Sequence, residues 1–190
     1  KAIVMIEFAT QTEVDSYKNV IDELRKKYLP LLDTIGDDLL GDYKAFELPH
    51  IIKKIKDGNY KTILDFGAGT SCLPAYLDNL GYDVYCLDLP SNSSGWHPEV
   101  TEESYNKVYK SKVHYIKEDI LTVPTCIPDD TFDVIYSASV LEHIPNYEEY
   151  LKILDKKLKK GGLHIHVMDA IIPDDIYQPE KGMGRLVITR

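Results

Sequence analysis

The 190-residue sequence predicts an α/β fold, a doubly wound and mostly parallel sheet preceded by helices. Three observations carry that expectation. Short apolar runs ending in an acid recur between residues 60 and 169, stretches of helical periodicity separate them, and the first run stops in a glycine turn. Parallel strands buried on both faces read as near-continuous apolar runs, and each needs a crossover to reach the next.

Two helical stretches come first, about 13–29 and 43–57, divided by Pro30 and the region from Gly36 to Gly41. Val14, Tyr17, Val20, Ile21, Leu24 and Tyr28 recur at helical spacing and give the first an apolar face. That face could lie on the core, cover a ligand or meet a partner. Strands are expected near 61–66, 82–88, 112–118, 132–137 and 163–169, with helices near 70–80, 99–110 and 147–160 between them. In the last helix Tyr147, Tyr150, Leu151, Leu154 and Leu158 recur at three and four residues, acids lead and lysines close. Residues 138–143 read as a short helical turn ended by Pro145, and Arg185–Thr189 as one more strand.

The first apolar run, Ile63-Leu64-Asp65-Phe66, turns through Gly67-Ala68-Gly69 into a helix start at Thr70-Ser71. Glycine lacks a Cβ and tolerates positive φ, so such a turn presents bare backbone to a ligand, and the following helix points unpaired N–H groups at the same place. A dinucleotide fingerprint would need a third glycine where Cys72 stands, and Asp65 would oppose a diphosphate. A cofactor with a cationic centre and a free amino group would welcome that carboxylate. The second run, Val84-Tyr85-Cys86-Leu87-Asp88-Leu89, ends in an acid at the spacing that grips ribose hydroxyls. Val113 to Ile120 ends in Asp119, and Phe132-Asp133-Val134-Ile135-Tyr136-Ser137 leads into Val140-Leu141-Glu142-His143-Ile144-Pro145.

These four segments, in this order, resemble the motifs of the class I S-adenosylmethionine-dependent methyltransferases over roughly residues 60 to 170. The segment after the fourth strand is similar to that of small-molecule enzymes, including those of quinone biosynthesis. The resemblance implies a Rossmann-like core over 59–190 behind an N-terminal helical cap or lid region over 1–58, the two forming one structural domain. It implies that Asp65 orients the methionine amino group, with the backbone of Ser137 beside it. Gly67, Ala68 and Gly69 would admit the methionine and ribose, Asp88 and Leu89 would hold the ribose, and Asp119 and Ile120 the adenine. His143 would act as base or position the acceptor, an oxygen or nitrogen of a small molecule; an imidazole titrates in the useful range. The rival readings are a related aminopropyl transferase and a non-catalytic methyltransferase-like module or partner subunit.

The family normally adds two strands after the fifth, and only Ile171 to Arg190 follow here. The C-terminal strands are therefore expected to be truncated, with the sheet edge completed by a missing segment, another element or a partner chain. The chain does not begin with Met, which suggests a trimmed, tagged or excised start. With 31 acids against 22 bases the net charge is −9, which argues against a nucleic-acid acceptor. Lys156, Lys157, Lys159 and Lys160 read as a solvated helix end before Gly161-Gly162. Three cysteines, Cys72, Cys86 and Cys126, lack a Cys-x-x-Cys pair, which suits reduced thiols in a cytoplasmic protein. His164-x-His166 shares one strand face at a spacing a metal could use, though no third ligand is suggested and hydrogen-bonded histidines are commoner; no metal is expected. Trp96 lies in the polar loop from Ser91 to Pro98, positioned either to stack on a ligand or to fold back as a plug.

Overall fold

A computed structural model describes residues 5–8, 11–32, 44–90, 100–121, 126–169 and 185–189. The described elements in chain order are β1 (Met5–Phe8), α1 (Gln11–Ser16), α2 (Lys18–Leu32), α3 (Lys44–Lys56), β2 (Thr62–Phe66), α4 (Leu73–Asn79), β3 (Asp83–Asp88) and α5 (Glu102–Tyr109). They continue with β4 (His114–Lys117), β5 (Phe132–Ala138), a 3-10 turn (Leu141–His143), α6 (Tyr147–Lys157), β6 (Leu158–Asp169) and β7 (Arg185–Thr189).

The sheet has seven strands in the order β1-β7-β6-β5-β2-β3-β4. The five from β6 to β4 run parallel, in register from Ile63↔Val84 and Ile63↔Val134 outward. β7 then pairs antiparallel with β6, and β1 antiparallel with β7. The strand expected at Arg185–Thr189 is present, and the chain's own N-terminal β1 lies beside it. β1 was not foreseen: Met5 to Phe8 is too short to show alternation.

Other boundaries moved for identifiable reasons. Pro30 does not end the first long helix but lies exposed inside α2, two residues before its end. Residues 70–72 belong to the glycine turn, and α4 starts beyond them with Pro74 in its first turn, where a missing N–H costs nothing. α6 stops at Lys157 because Leu158 is extended, ψ 134, and pairs with Phe132. Lys159 is thus a strand residue, ion-paired with Asp133 at 2.8 Å, while Lys157 pairs with Asp129 at 2.6 Å. Tyr147 is exposed, so the buried face of α6 is carried by Tyr150 and Leu154. The loop with Trp96 lies outside the described residues.

Two apolar layers sandwich the sheet. One joins Tyr17, Ile21, Leu24 and Tyr28 of the N-terminal helices and Ile51, Ile52 and Ile55 of α3 to Ile63, Val84 and Val134. The other packs Leu154 and Tyr150 of α6 on Leu64, Leu87 and Ile135. The N-terminal helices therefore share a continuous core with the sheet. In the second layer His166 is fully buried, its Nδ1 2.8 Å from the Ser137 hydroxyl and its Nε2 3.1 Å from His164 Nδ1. Burial pushes His166 down to about 3, with His164 adding to the shift, so the His166 ring is neutral at ordinary pH. Among the described residues no group of three or more potential metal ligands converges, and no helix is long and apolar enough to cross a membrane.

Candidate functional site

A cavity of about 520 Å³ opens beyond the carboxyl ends of β2, β3, β4 and β5. It straddles β2 and β5, where the order of parallel strands reverses, the place where open α/β sheets take ligands. Its size falls in the range of about 300–1,000 Å³ usual for small-molecule pockets.

One wall is the glycine turn with the tip of β3. Gly67 and Gly69 both have positive φ, +77° and +51°. A Cβ on Gly67 would stand 2.6 Å from both methyl carbons of Val140, so only glycine lets this backbone close against the segment after β5. Gly67 N–H donates to the Leu87 carbonyl at 2.8 Å, which ties the turn to β3. The Asp88 carboxylate completes the tie: Oδ2 accepts from Gly69 N–H at 3.0 Å and Oδ1 from Leu89 N–H at 2.8 Å. The Tyr115 hydroxyl lies 3.3 Å from Oδ2 and Lys117 Nζ 3.5 Å. Gly67, Gly69, Asp88, Leu89, Ile120 and His143, all singled out from sequence, line this cavity.

Four further sequence-derived residues do not line it. Ala68 is buried within the turn. Asp65 is also buried, and desolvation pushes its carboxyl up to about 8; the Tyr136 hydroxyl opposes the shift, Asp88 adds to it and Lys44 opposes it. Burial thus favours the protonated form of the Asp65 carboxyl. Asp119 Oδ1 accepts from Leu121 N–H at 3.0 Å and from the Tyr150 hydroxyl at 3.1 Å, and Tyr150 is the member of that pair in the cavity wall. The Ser137 side chain is buried on His166.

The opposite wall was not read from sequence. Ser139, at a left-handed φ of +53°, lines the cavity and receives Lys44 Nζ at 2.8 Å. Ser139 donates in turn to the Glu47 carboxylate at 2.9 Å, and Lys44 pairs with Glu47 at 2.6 Å. Lys44 and Glu47 come from the first turn of α3 and are 7% and 0% exposed. Nothing in their spacing announces a partner on β5. Burial also raises the Glu142 carboxyl, with His143 and Lys44 opposing and Glu47 adding to the shift. His143 itself is exposed at the rim on the 3-10 turn, its N–H bonded to the Val140 carbonyl at 3.0 Å.

The lining includes two carboxylates, Asp88 and Glu118, and no Lys or Arg among the described residues. Glu118 Oε2 is buried with no hydrogen-bond partner among the described residues. A wall of acceptors fits a ligand rich in hydroxyl or amino donors and bearing positive charge, and it disfavours a diphosphate. The group implied by the motifs, S-adenosylmethionine, meets that requirement through its ribose diol, amino groups and sulfonium.

Comparison with known proteins points the same way. The family model described as "Methyltransferase domain" matches residues 64–166. The ubiquinone biosynthesis O-methyltransferase of Rickettsia bellii is 32% identical over 132 residues, 67% of this chain and 51% of that protein. A sterol 4-C-methyltransferase of Caenorhabditis elegans is 24% identical over 176 residues, 84% of this chain and 51% of that protein. Among solved structures, Haemonchus contortus phosphoethanolamine N-methyltransferase 2 in complex with S-adenosyl-L-methionine superposes with a TM-score of 0.51 at 19% identity, over 68% of this chain and 30% of that one. The chain spans about half the length of the first two.

Proposed function

Given that the chain belongs to the class I S-adenosylmethionine-dependent methyltransferase family, we propose that it methylates an oxygen or nitrogen of a small molecule bound beside Ser139, Val140 and His143. The observation that carries this reading is the Asp88 carboxylate, bonded to Gly69 N–H on the wall of a cavity whose lining also includes Glu118 and, among the described residues, no Lys or Arg. Bound S-adenosylmethionine supplies a methyl carbon already activated by the positive sulfur. The protein's task is then mainly to hold reactants in line, which can supply about 7–11 kcal/mol of barrier lowering.

In this reading Asp88 accepts from the ribose hydroxyls, with Leu89 beside it and Glu118 Oε2 as a second acceptor in the same wall. Ile120 gives the adenine an apolar flank, and Asp119 acts by fixing the Tyr150 hydroxyl. The turn from Gly67 through Ala68 to Gly69 admits the amino-acid tail at backbone distance. The Ser137 backbone and Asp65 lie behind that tail, Asp65 losing its proton when an ammonium group arrives. His143 takes the proton of a hydroxyl acceptor as the methyl transfers, or orients an acceptor that needs no base. The N-terminal region over 1–58 covers the acceptor side through Lys44 and Glu47.

Incubating the protein with S-adenosylmethionine and fractionated cell metabolites, and following S-adenosylhomocysteine together with mass gains of one methyl group, tests the proposal. S-adenosylhomocysteine formation coupled to one methylated small molecule is expected. Cofactor binding without turnover across all fractions would instead favour the non-catalytic module.

A further inference from the structure

Three tyrosine hydroxyls close on three consecutive backbone carbonyls just past the glycine turn. Tyr115 donates to the Gly69 carbonyl at 2.5 Å, Tyr109 to that of Thr70 at 2.6 Å and Tyr105 to that of Ser71 at 2.6 Å. Tyr105 and Tyr109 stand four residues apart on α5, so they share a helix face. Tyr115 comes from β4, the strand that α5 leads into. The three rings pack together, with centroids 4.6 Å apart for Tyr105 and Tyr109 and 5.5 Å for Tyr105 and Tyr115. Tyr28 of α2 meets Tyr109 edge-on at 5.7 Å and supports the group from the N-terminal side.

We infer that Tyr105, Tyr109 and Tyr115 are positioning residues for cofactor binding, a clasp that holds the glycine turn in its ligand-ready shape before any ligand arrives; this rests on the proposed methyltransferase reading. A peptide unit is planar, so fixing one carbonyl fixes the N–H of the following residue on the opposite side. Holding the carbonyls of residues 69, 70 and 71 therefore sets the peptide planes from Gly69 to Cys72. The Tyr115 oxygen also stands 3.3 Å from Asp88 Oδ2, and Asp88 accepts from Gly69 N–H, so the residue that anchors the Gly69 carbonyl lies against the acid expected to hold the ribose. Burial raises the Tyr105 and Tyr115 hydroxyls well above their ordinary range, which keeps them protonated as donors. A ligand binding to a turn that is only fractionally in the competent shape loses affinity by that fraction. The clasp keeps the fraction near one.

Replacing each tyrosine by phenylalanine removes only the hydroxyl and keeps the packed ring. In the full chain, the triple variant Tyr105→Phe/Tyr109→Phe/Tyr115→Phe is expected to bind S-adenosylhomocysteine at least about 10-fold more weakly by calorimetry, on the scale of buried carbonyls left unsatisfied. A core variant on α3, Ile55→Ala, assayed at the same fraction folded as the triple variant, should bind like the wild type. In ligand-free protein, amide hydrogen exchange at residues 70–72 should accelerate in the triple variant and remain unchanged in β5. Wild-type affinity in the triple variant, or an equal loss in Ile55→Ala, overturns the clasp. A wild-type protein that does not bind S-adenosylhomocysteine overturns the methyltransferase reading and the clasp's cofactor role with it. Unchanged exchange at residues 70–72 overturns the clasp whatever the ligand.

Discussion

On one wall of the cavity Gly69 and Asp88 stand 19 residues apart and meet through a hydrogen bond between neighbouring strand ends; on the other, Lys44 and Ser139 stand 95 residues apart and meet because α3 packs across the end of β5. The first wall is solvent-reachable, with the Asp88 side chain 18% exposed. The second is a buried ion pair with a hydroxyl between its ends, and a serine held at positive φ. The difference separates two jobs. In the proposed reading the glycine and Asp88 wall exchanges its hydrogen bonds with a ligand, whereas the Lys44, Glu47 and Ser139 wall keeps its own.

The sharpest way to break that contrast is to cut the buried pair. Glu47→Ala leaves the Lys44 ammonium buried without its carboxylate, and a loss of about 3–5 kcal/mol of stability is expected. Thermal melting should show it, and Lys44→Met in the same chain should recover part of the loss. If Glu47→Ala melts like the wild type, the second wall is not a stability element. Next in size comes the rim. His143→Ala should slow product formation by about 10²–10⁴-fold, the usual weight of a general base, with S-adenosylhomocysteine affinity intact. A fully active variant would remove His143 from the chemistry.

Asp88→Ala reverses the pattern of Glu47→Ala. Affinity for S-adenosylhomocysteine should fall by about 1–3 kcal/mol, the cost of losing hydrogen bonds to a charged acceptor, while the melting temperature moves little. A separate, pH-dependent effect concerns Asp65. An acid whose folded pKa of about 8 lies above its ordinary 3.8 binds more protons when folded. Its contribution to stability is thus held at low pH and lost as pH rises from 3.8 through about 8. A ligand ammonium favours the ionised form, so affinity should rise with pH, by at most about tenfold per unit, and level off above 8. Asp65→Asn should flatten both slopes; a binding curve independent of pH in the wild type would place Asp65 outside the ligand's field.

The same two walls show what a sequence can and cannot disclose. An acid at the end of an apolar run, or two glycines beyond it, is local: strand geometry puts it at the sheet's carboxyl edge whatever the rest of the chain does. The place of Gly67, Gly69, Asp88, Ile120 and His143 at one edge of the sheet was therefore legible, as were the parallel strands themselves. Asp65 and Asp119 share that local pattern, but the sequence did not show that the first is buried behind the cavity wall or that the second is bonded to the Tyr150 hydroxyl. Lys44, Glu47 and Ser139 depend on where one helix lands on a distant strand, and periodicity carries no such information. The tyrosines of the clasp fall between these cases. Tyr105 and Tyr109 at helical spacing, followed by Tyr115 on the next strand, were visible as a pattern, but their hydroxyls' partners were not. Leu158 misled for a related reason: its spacing from Leu154 suits a helix, while its burial is that of a strand residue.

The measurement that bears most directly on the account is a crystal structure of this chain with S-adenosylhomocysteine. The ribose hydroxyls are expected within hydrogen-bond distance of the Asp88 carboxylate, with the amino-acid tail along Gly67 to Gly69 and the adenine beside Ile120. A ligand bound elsewhere with this cavity left to solvent, or a dinucleotide whose diphosphate rests on the glycine turn, would contradict it.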